Sequence, residues 1–152
     1  MQDIERLLNN VNKLDINDVF LAMWKRNDTQ DYIIELNTEE QLLEEGIRSD
    51  GSEIGNYSAN TIEGTSQYEG KKQKNQRYDH ITLNDTGEFY KSFKVTPNKK
   101  GFRLTANPNK DDTNLFAEFG VNIVGLTKES VHKLIDFIEP MFNKELQKRL
   151  FA

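Results

Sequence analysis

The chain has 152 residues, enough for one ordinary domain, and no stretch of it approaches the ~20 apolar residues of a membrane span. Charged residues make up 30% and apolar residues 36%, with a net charge of −5, so no basic face for wholesale nucleic-acid binding is expected. Cysteine is absent, which removes disulfides, thiolate chemistry and cysteine-ligated zinc, while nine Phe and five Tyr are too many for a disordered chain.

Ile4, Leu7, Leu8 and Val11 recur at helical spacing and predict a short amphipathic helix. Early acids and the lack of an apolar run there argue against a signal peptide. A second helix is predicted in LDINDVFLAMWKRND, with Val19, Phe20, Met23 and Trp24 as its stripe and Lys25 and Arg26 in its last turn. Tyr32–Leu36 (YIIEL) is short and β-branched, so an extended piece is expected. Residues 1–35 thus read as a helical arm ahead of a domain over 36–152. Thr38-Glu39-Glu40-Gln41 has the form of a capping box, opening a short helix that Gly46 closes in left-handed geometry.

From residue 48 to 80 the composition shifts to Gly, Ser, Asn, Lys and Gln, with Ile54, Tyr57, Ile62 and Tyr68 as anchors. A long, partly ordered loop is expected. Within it GKKQKNQR gathers Lys71, Lys72, Lys74 and Arg77 into a basic run on an acidic protein. The plain reading is a solvated loop; the functional one is a tip that touches an acidic surface or nucleic acid.

In LNDTGEFYKSFKV, Asp85 is placed to cap a short helix whose third position is Glu88. Gly87 is expected to let neighbouring groups approach closely, and Phe89 and Phe93, four apart, share a face. Phe93, Val95, Phe102 and Leu104 alternate around Asn98-Lys99-Lys100-Gly101, which predicts a β-hairpin over about 93–105. Asn107–Asn114 reads as polar loop and NLFAEFG as a helical turn closed by Gly120. Thr127 is expected to cap a last helix on which Val131, Leu134, Ile135, Ile138, Met141, Phe142, Leu146 and Leu150 trace one face. Pro140 inside it should produce a kink at about 3 kcal/mol. The fold class is α+β: a small antiparallel sheet packed under a long C-terminal amphipathic helix, with N-terminal helices and a long loop.

Catalytic hardware is scarce. His80 and His132 stand alone, and no phosphate-binding loop, His-x-x-x-His pair or nucleophile elbow occurs. Asp111-Asp112 reads as solvated loop, and the Asp50-Gly51 segment departs from a calcium loop. Neither an enzyme nor a metal or cofactor site is expected.

An ordered series runs through the chain: Gly55, Tyr57-Ser58 and Thr61; Leu83, Thr86-Gly87 and Ser92-Phe93; Phe116-Ala117-Glu118-Phe119-Gly120; then Gly125-Leu126-Thr127 before the last helix. It resembles the tail-completion and head–tail joining proteins of tailed bacteriophages, including the virion-morphogenesis proteins of Mu-like phages, over roughly Leu36 to Leu150. It is also similar in style to versions in crAss-like phages. The resemblance implies a structural virion protein, made in the host cytoplasm and placed at the head–tail interface. It would form a homo-oligomeric ring of about 6 or 12 copies, contacting portal, connector or tail proteins. It implies no membrane and no cofactor, with DNA close by in the channel but not read by sequence. Leu83, Asp85, Thr86, Gly87, Ser92, Phe93, Gly120 and Gly125 would be the motif residues that shape the structure. Trp24, Lys71, Lys72, Lys74 and Arg77 would be candidate partner contacts. A terminator or completion ring on the tail tube, an adaptor that binds nucleic acid through residues 71–77, and an enzyme or regulator of unfamiliar fold stay open as alternatives.

Overall fold

A computed structural model describes residues 2–152. Three helices open the chain: α1 (Gln2–Lys13), α2 (Ile16–Trp24) and α3 (Asn27–Glu35). Asp15 caps α2, its carboxylate accepting from the Asn17 N–H at 2.9 Å. At Glu35 the chain does not break; α3 widens into a π-helix over Leu36–Glu45 that ends on left-handed Gly46, as expected. Tyr32–Leu36, expected to be extended, is therefore helical. Ile33 and Leu36 are fully buried in one cluster with Leu134 and Ile138. Burial worth roughly 1.5–3 kcal/mol per side chain outweighs the few tenths by which a β-branched residue disfavours a helix. The capping box falls for the same reason. Thr38 lies inside the helix and donates its hydroxyl to Ile34 O at 2.8 Å.

The expected hairpin is present: β1 (Lys94–Asn98) pairs antiparallel with β2 (Gly101–Thr105), placing Val95 opposite Leu104 and Asn98 opposite Gly101. Asn98 Oδ1 closes the turn by accepting the Lys100 N–H at 2.8 Å. Helices α2, α3 and the long α7 (Lys128–Leu150) pack together and onto β1 around Ile33, Leu36, Val95, Leu134 and Ile138. Aromatic pairs tie the layers. Trp24 meets Phe102 edge-on at 5.2 Å, Phe20 meets Phe142 at 4.7 Å, and Tyr32 stacks on Phe137 at 4.5 Å.

A second apolar cluster gathers Leu42, Ile54, Phe89, Phe93, Leu115 and Ile123. Between its contributors run three short helices, α4 (Ala59–Glu63), α5 (Glu88–Lys91) and α6 (Leu115–Phe119), and a two-residue ladder of β3 (Asn109–Lys110) with β4 (Thr113–Asn114). That ladder falls in the stretch expected to be loop.

Thr127 caps α7 as expected, its hydroxyl oxygen accepting from the Ser130 N–H at 3.1 Å. The apolar face of α7 is divided, however. Leu134 and Ile138 are buried, whereas Val131 and Ile135 stay 41% and 48% exposed, because the stripe is wider than the surface that covers it. At the far end α1 is fastened by Asn10, whose Nδ2 donates to Leu150 O at 2.9 Å, and none of its residues is buried.

The start of α7 is set from the π-helix. Asn37 donates Nδ2–H to Ile123 O (3.0 Å) and accepts the Gly125 N–H on Oδ1 (2.7 Å). Gln41 donates Nε2–H to Gly125 O (2.8 Å) and accepts the Thr127 N–H on Oε1 (3.0 Å). Two buried side-chain amides thus satisfy four backbone groups that would otherwise be orphaned.

Candidate functional site

The motif residues Leu83, Asp85, Thr86, Gly87, Ser92 and Phe93 come together at one corner, and a polar strap folds over it. The strap begins where Ser58 caps α4, Oγ accepting from the Thr61 N–H at 3.2 Å. The chain then doubles back, with the Lys71 N–H donating to Thr61 O and the Lys72 N–H to Ile62 O. At the crossing a Cβ on Gly70 would lie 2.3 Å from Gly64 N, so only glycine fits. No residue between Ser58 and Gln76 belongs to either apolar cluster.

Polar contacts hold the strap to the corner. Lys71 is buried; its Nζ donates to Gln76 Oε1 (3.1 Å) and Asn84 O (3.4 Å) and lies 4.6 Å over the Tyr57 ring. Gln76 Nε2–H donates to Asp85 O at 2.7 Å. Asp85 does not cap a helix, contrary to expectation. Its Oδ1 takes Lys74 at 3.0 Å and its Oδ2 takes Lys110 at 3.3 Å. The hydrogen bond from Lys74, reinforced by Lys110 and opposed by burial, holds this carboxyl down to about 2. Lys72 pairs with Glu63, and Arg77 pairs with Asp79 and with Glu44. Three of the four cations in the run are thus paired to acids of the same chain, and the fourth, Lys71, is buried.

The capping position of α5 is Gly87 itself, with Thr86 Oγ1 accepting the Glu88 N–H at 3.3 Å. The nearest groups to a Cβ on Gly87 are 3.9 Å away, so the expected close approach is absent. Its φ of +84° is the reason for glycine. Leu83 holds a left-handed φ of +58° with a full side chain, which is strained backbone.

Thr82, which nothing in the sequence singled out, is the hub. Its N–H donates to Tyr57 Oη at 2.9 Å, its carbonyl accepts the Tyr90 hydroxyl, and its Oγ1 accepts the Asn84 N–H at 3.2 Å. Burial, with Glu39 in the same direction, pushes the Tyr90 phenol far above its usual range, so it remains a neutral donor. Ser92 Oγ donates to Phe89 O at 2.6 Å and accepts the Asn107 N–H at 2.9 Å, and the Phe89 and Phe93 rings meet edge-on at 5.1 Å.

The other candidates lie elsewhere. Gly120 and Gly125 belong to the connection locked by Asn37 and Gln41, and Trp24 is half-buried against Phe102. His80 Nε2 sits 2.7 Å from Leu43 O, and His132 is exposed. Among the described residues no group of three or more His, Asp or Glu is arranged to hold a metal ion.

Between strap and corner lies a cleft of about 330 Å³, walled by Tyr57, Tyr68 and Lys71 and floored by Leu83, Leu115 and Phe119; neither histidine lines it. The arrangement is built to hold and position groups. Comparison with protein-family models, with curated proteins and with solved structures finds no match in any of the three.

Proposed function

We propose that this chain is a structural virion protein that assembles as a ring in the head–tail connector of a tailed bacteriophage and joins head to tail. The ordered motifs that resemble tail-completion and head–tail joining proteins supply the reading's identity. The observation that carries its mode of action is the uncovered stripe on α1. Ile4, Leu8 and Val11 lie on one side of that helix and stay 59%, 56% and 48% exposed, and Ile16 at the start of α2 stays 44% exposed. Val131 and Ile135 on α7 form a second uncovered strip. Exposed apolar strips on a chain this polar are suited to contacts with neighbouring copies and other ring proteins. The pairing of Lys72, Lys74 and Arg77 within the chain favours this reading over a nucleic-acid adaptor, which needs free cations.

Native mass measurement and negative-stain microscopy of the purified chain test the proposal. The full chain is expected to give closed rings, and a variant lacking residues 2–13 to give folded monomers, since that helix buries no residue of its own. A full chain that stays monomeric at ~100 μM would sink the idea. Mass spectrometry of purified particles tests the virion assignment separately.

A further inference from the structure

The cleft between strap and corner contains a buried lysine with no acid in ion-pair contact. Lys71 is only 6% exposed, and its ammonium is met by Gln76 Oε1, by Asn84 O and by the Tyr57 ring, all of them neutral. Lys74 and Lys110 differ, since both reach Asp85. A buried cation without a counter-charge is costly, and such groups are ordinarily paired. An ammonium has three N–H donors, and the two acceptors here leave one direction without an anionic or hydrogen-bonding partner.

The remaining walls define what would fit. Leu83, Leu115 and Phe119 make an apolar floor, Tyr57 and Tyr68 add aromatic surface, and the volume of about 330 Å³ lies at the small end of ligand sites. The lining as a whole carries three lysines against Glu69, Asp85 and Asp111, so it is formally neutral. The preference for an anion is therefore local to Lys71, whose partners are all neutral. A single negative charge there gains a counter-ion, whereas the second charge of a phosphate would add only repulsion from Glu69, Asp85 and Asp111.

We propose that this cleft binds a monoanionic carboxylate carried on an apolar or aromatic body, with Lys71 Nζ as its counter-ion and Leu83, Leu115 and Phe119 as its seat. The site goes beyond the ring reading and does not depend on it, because none of the exposed strips invoked there contributes to the cleft.

The test is a ¹H–¹⁵N NMR titration of the full chain with three probes: N-acetyl-phenylalanine, its uncharged amide, and inorganic phosphate. The acid is expected to shift the Asn84, Leu115 and Phe119 resonances with a midpoint of ~1 mM, and the amide and phosphate to leave them in place. Lys71→Met is expected to weaken the acid's binding at least ~10-fold. Should that variant lose its folded spectrum, Thr113→Phe fills the rim from an exposed position without touching Lys71, and is expected to block the shifts. Equal responses to acid and amide, a stronger response to phosphate, no response by ~20 mM, or wild-type binding in a folded Lys71→Met or Thr113→Phe variant would each overturn the proposal.

Discussion

The two faces of the molecule are held by different forces. Around α3, the π-helix, the hairpin and α7, fully or nearly fully buried side chains such as Ile33, Leu36 and Leu134 meet aromatic pairs and two amide locks. The Ser58–Gln76 strap adds nothing to either apolar cluster and stays down through Lys71, Lys74 and Gln76. Hydrophobic burial and enclosed hydrogen bonds are not weakened by charge screening, whereas partly exposed ion pairs are. The body has ion pairs of its own, Lys133–Glu40 and Lys99–Asp18, but rests mainly on its core, so it is expected to respond less to salt than the strap.

The largest test of that contrast is in the body. Gln41→Leu removes the partners of both Gly125 O and the Thr127 N–H in a buried site. Orphaning two such groups is expected to cost about 3–5 kcal/mol in urea unfolding, with the strap's own contacts intact. A loss under ~1 kcal/mol would mean that water or a shifted backbone replaces the amide.

The second test is on the strap. The Asp85 carboxyl titrates near 2 in the folded chain against 3.8 unpaired, so the stability it contributes is present above about pH 4 and lost as pH falls through about 2. The full linkage would be roughly 2.5 kcal/mol, and screening of a side chain 34% exposed reduces it to about 1 kcal/mol. Asp85→Asn should be destabilised by that amount at pH 7 and converge on wild type as pH falls below about 2 in urea titrations. Glu63, Glu44 and Asp79 pair with the same segment, so only the difference between the two chains isolates Asp85.

The smallest effect needs no substitution. Raising salt from about 0.02 to 0.5 M shortens the screening length several-fold and is expected to speed hydrogen exchange of the strap amides two- to threefold, roughly, while those of Ile33 and Leu134 stay fixed. Equal acceleration in both regions would erase the contrast.

What was legible in the sequence was local. Thr127 at its cap, Gly46 at its left-handed stop, the Asn98–Gly101 turn and the Phe89–Phe93 pair each rest on neighbours a few residues away. Tyr32–Leu36 misled because its conformation is decided by Leu134 and Ile138, far along the chain. Asp85 looked like a cap because a short-range rule fitted, and Lys74, eleven residues back, with Lys110, twenty-five residues on, took it instead. Thr82 offered no pattern at all, since a threonine between Ile81 and Leu83 reads as ordinary strand-forming sequence.

The amides of Asn37 and Gln41 have one more effect. By standing in for an adjacent strand's main chain, they satisfy the backbone of residues 123–127 as it leaves a 3-10 turn and bends toward α7, without any sheet beside it. The instructions for that stretch are therefore written more than eighty positions upstream. Val121, 72% exposed, should tolerate wide substitution as long as those two side chains keep their carboxamides, whereas Val124 and Leu126 pack on the two apolar clusters and should not.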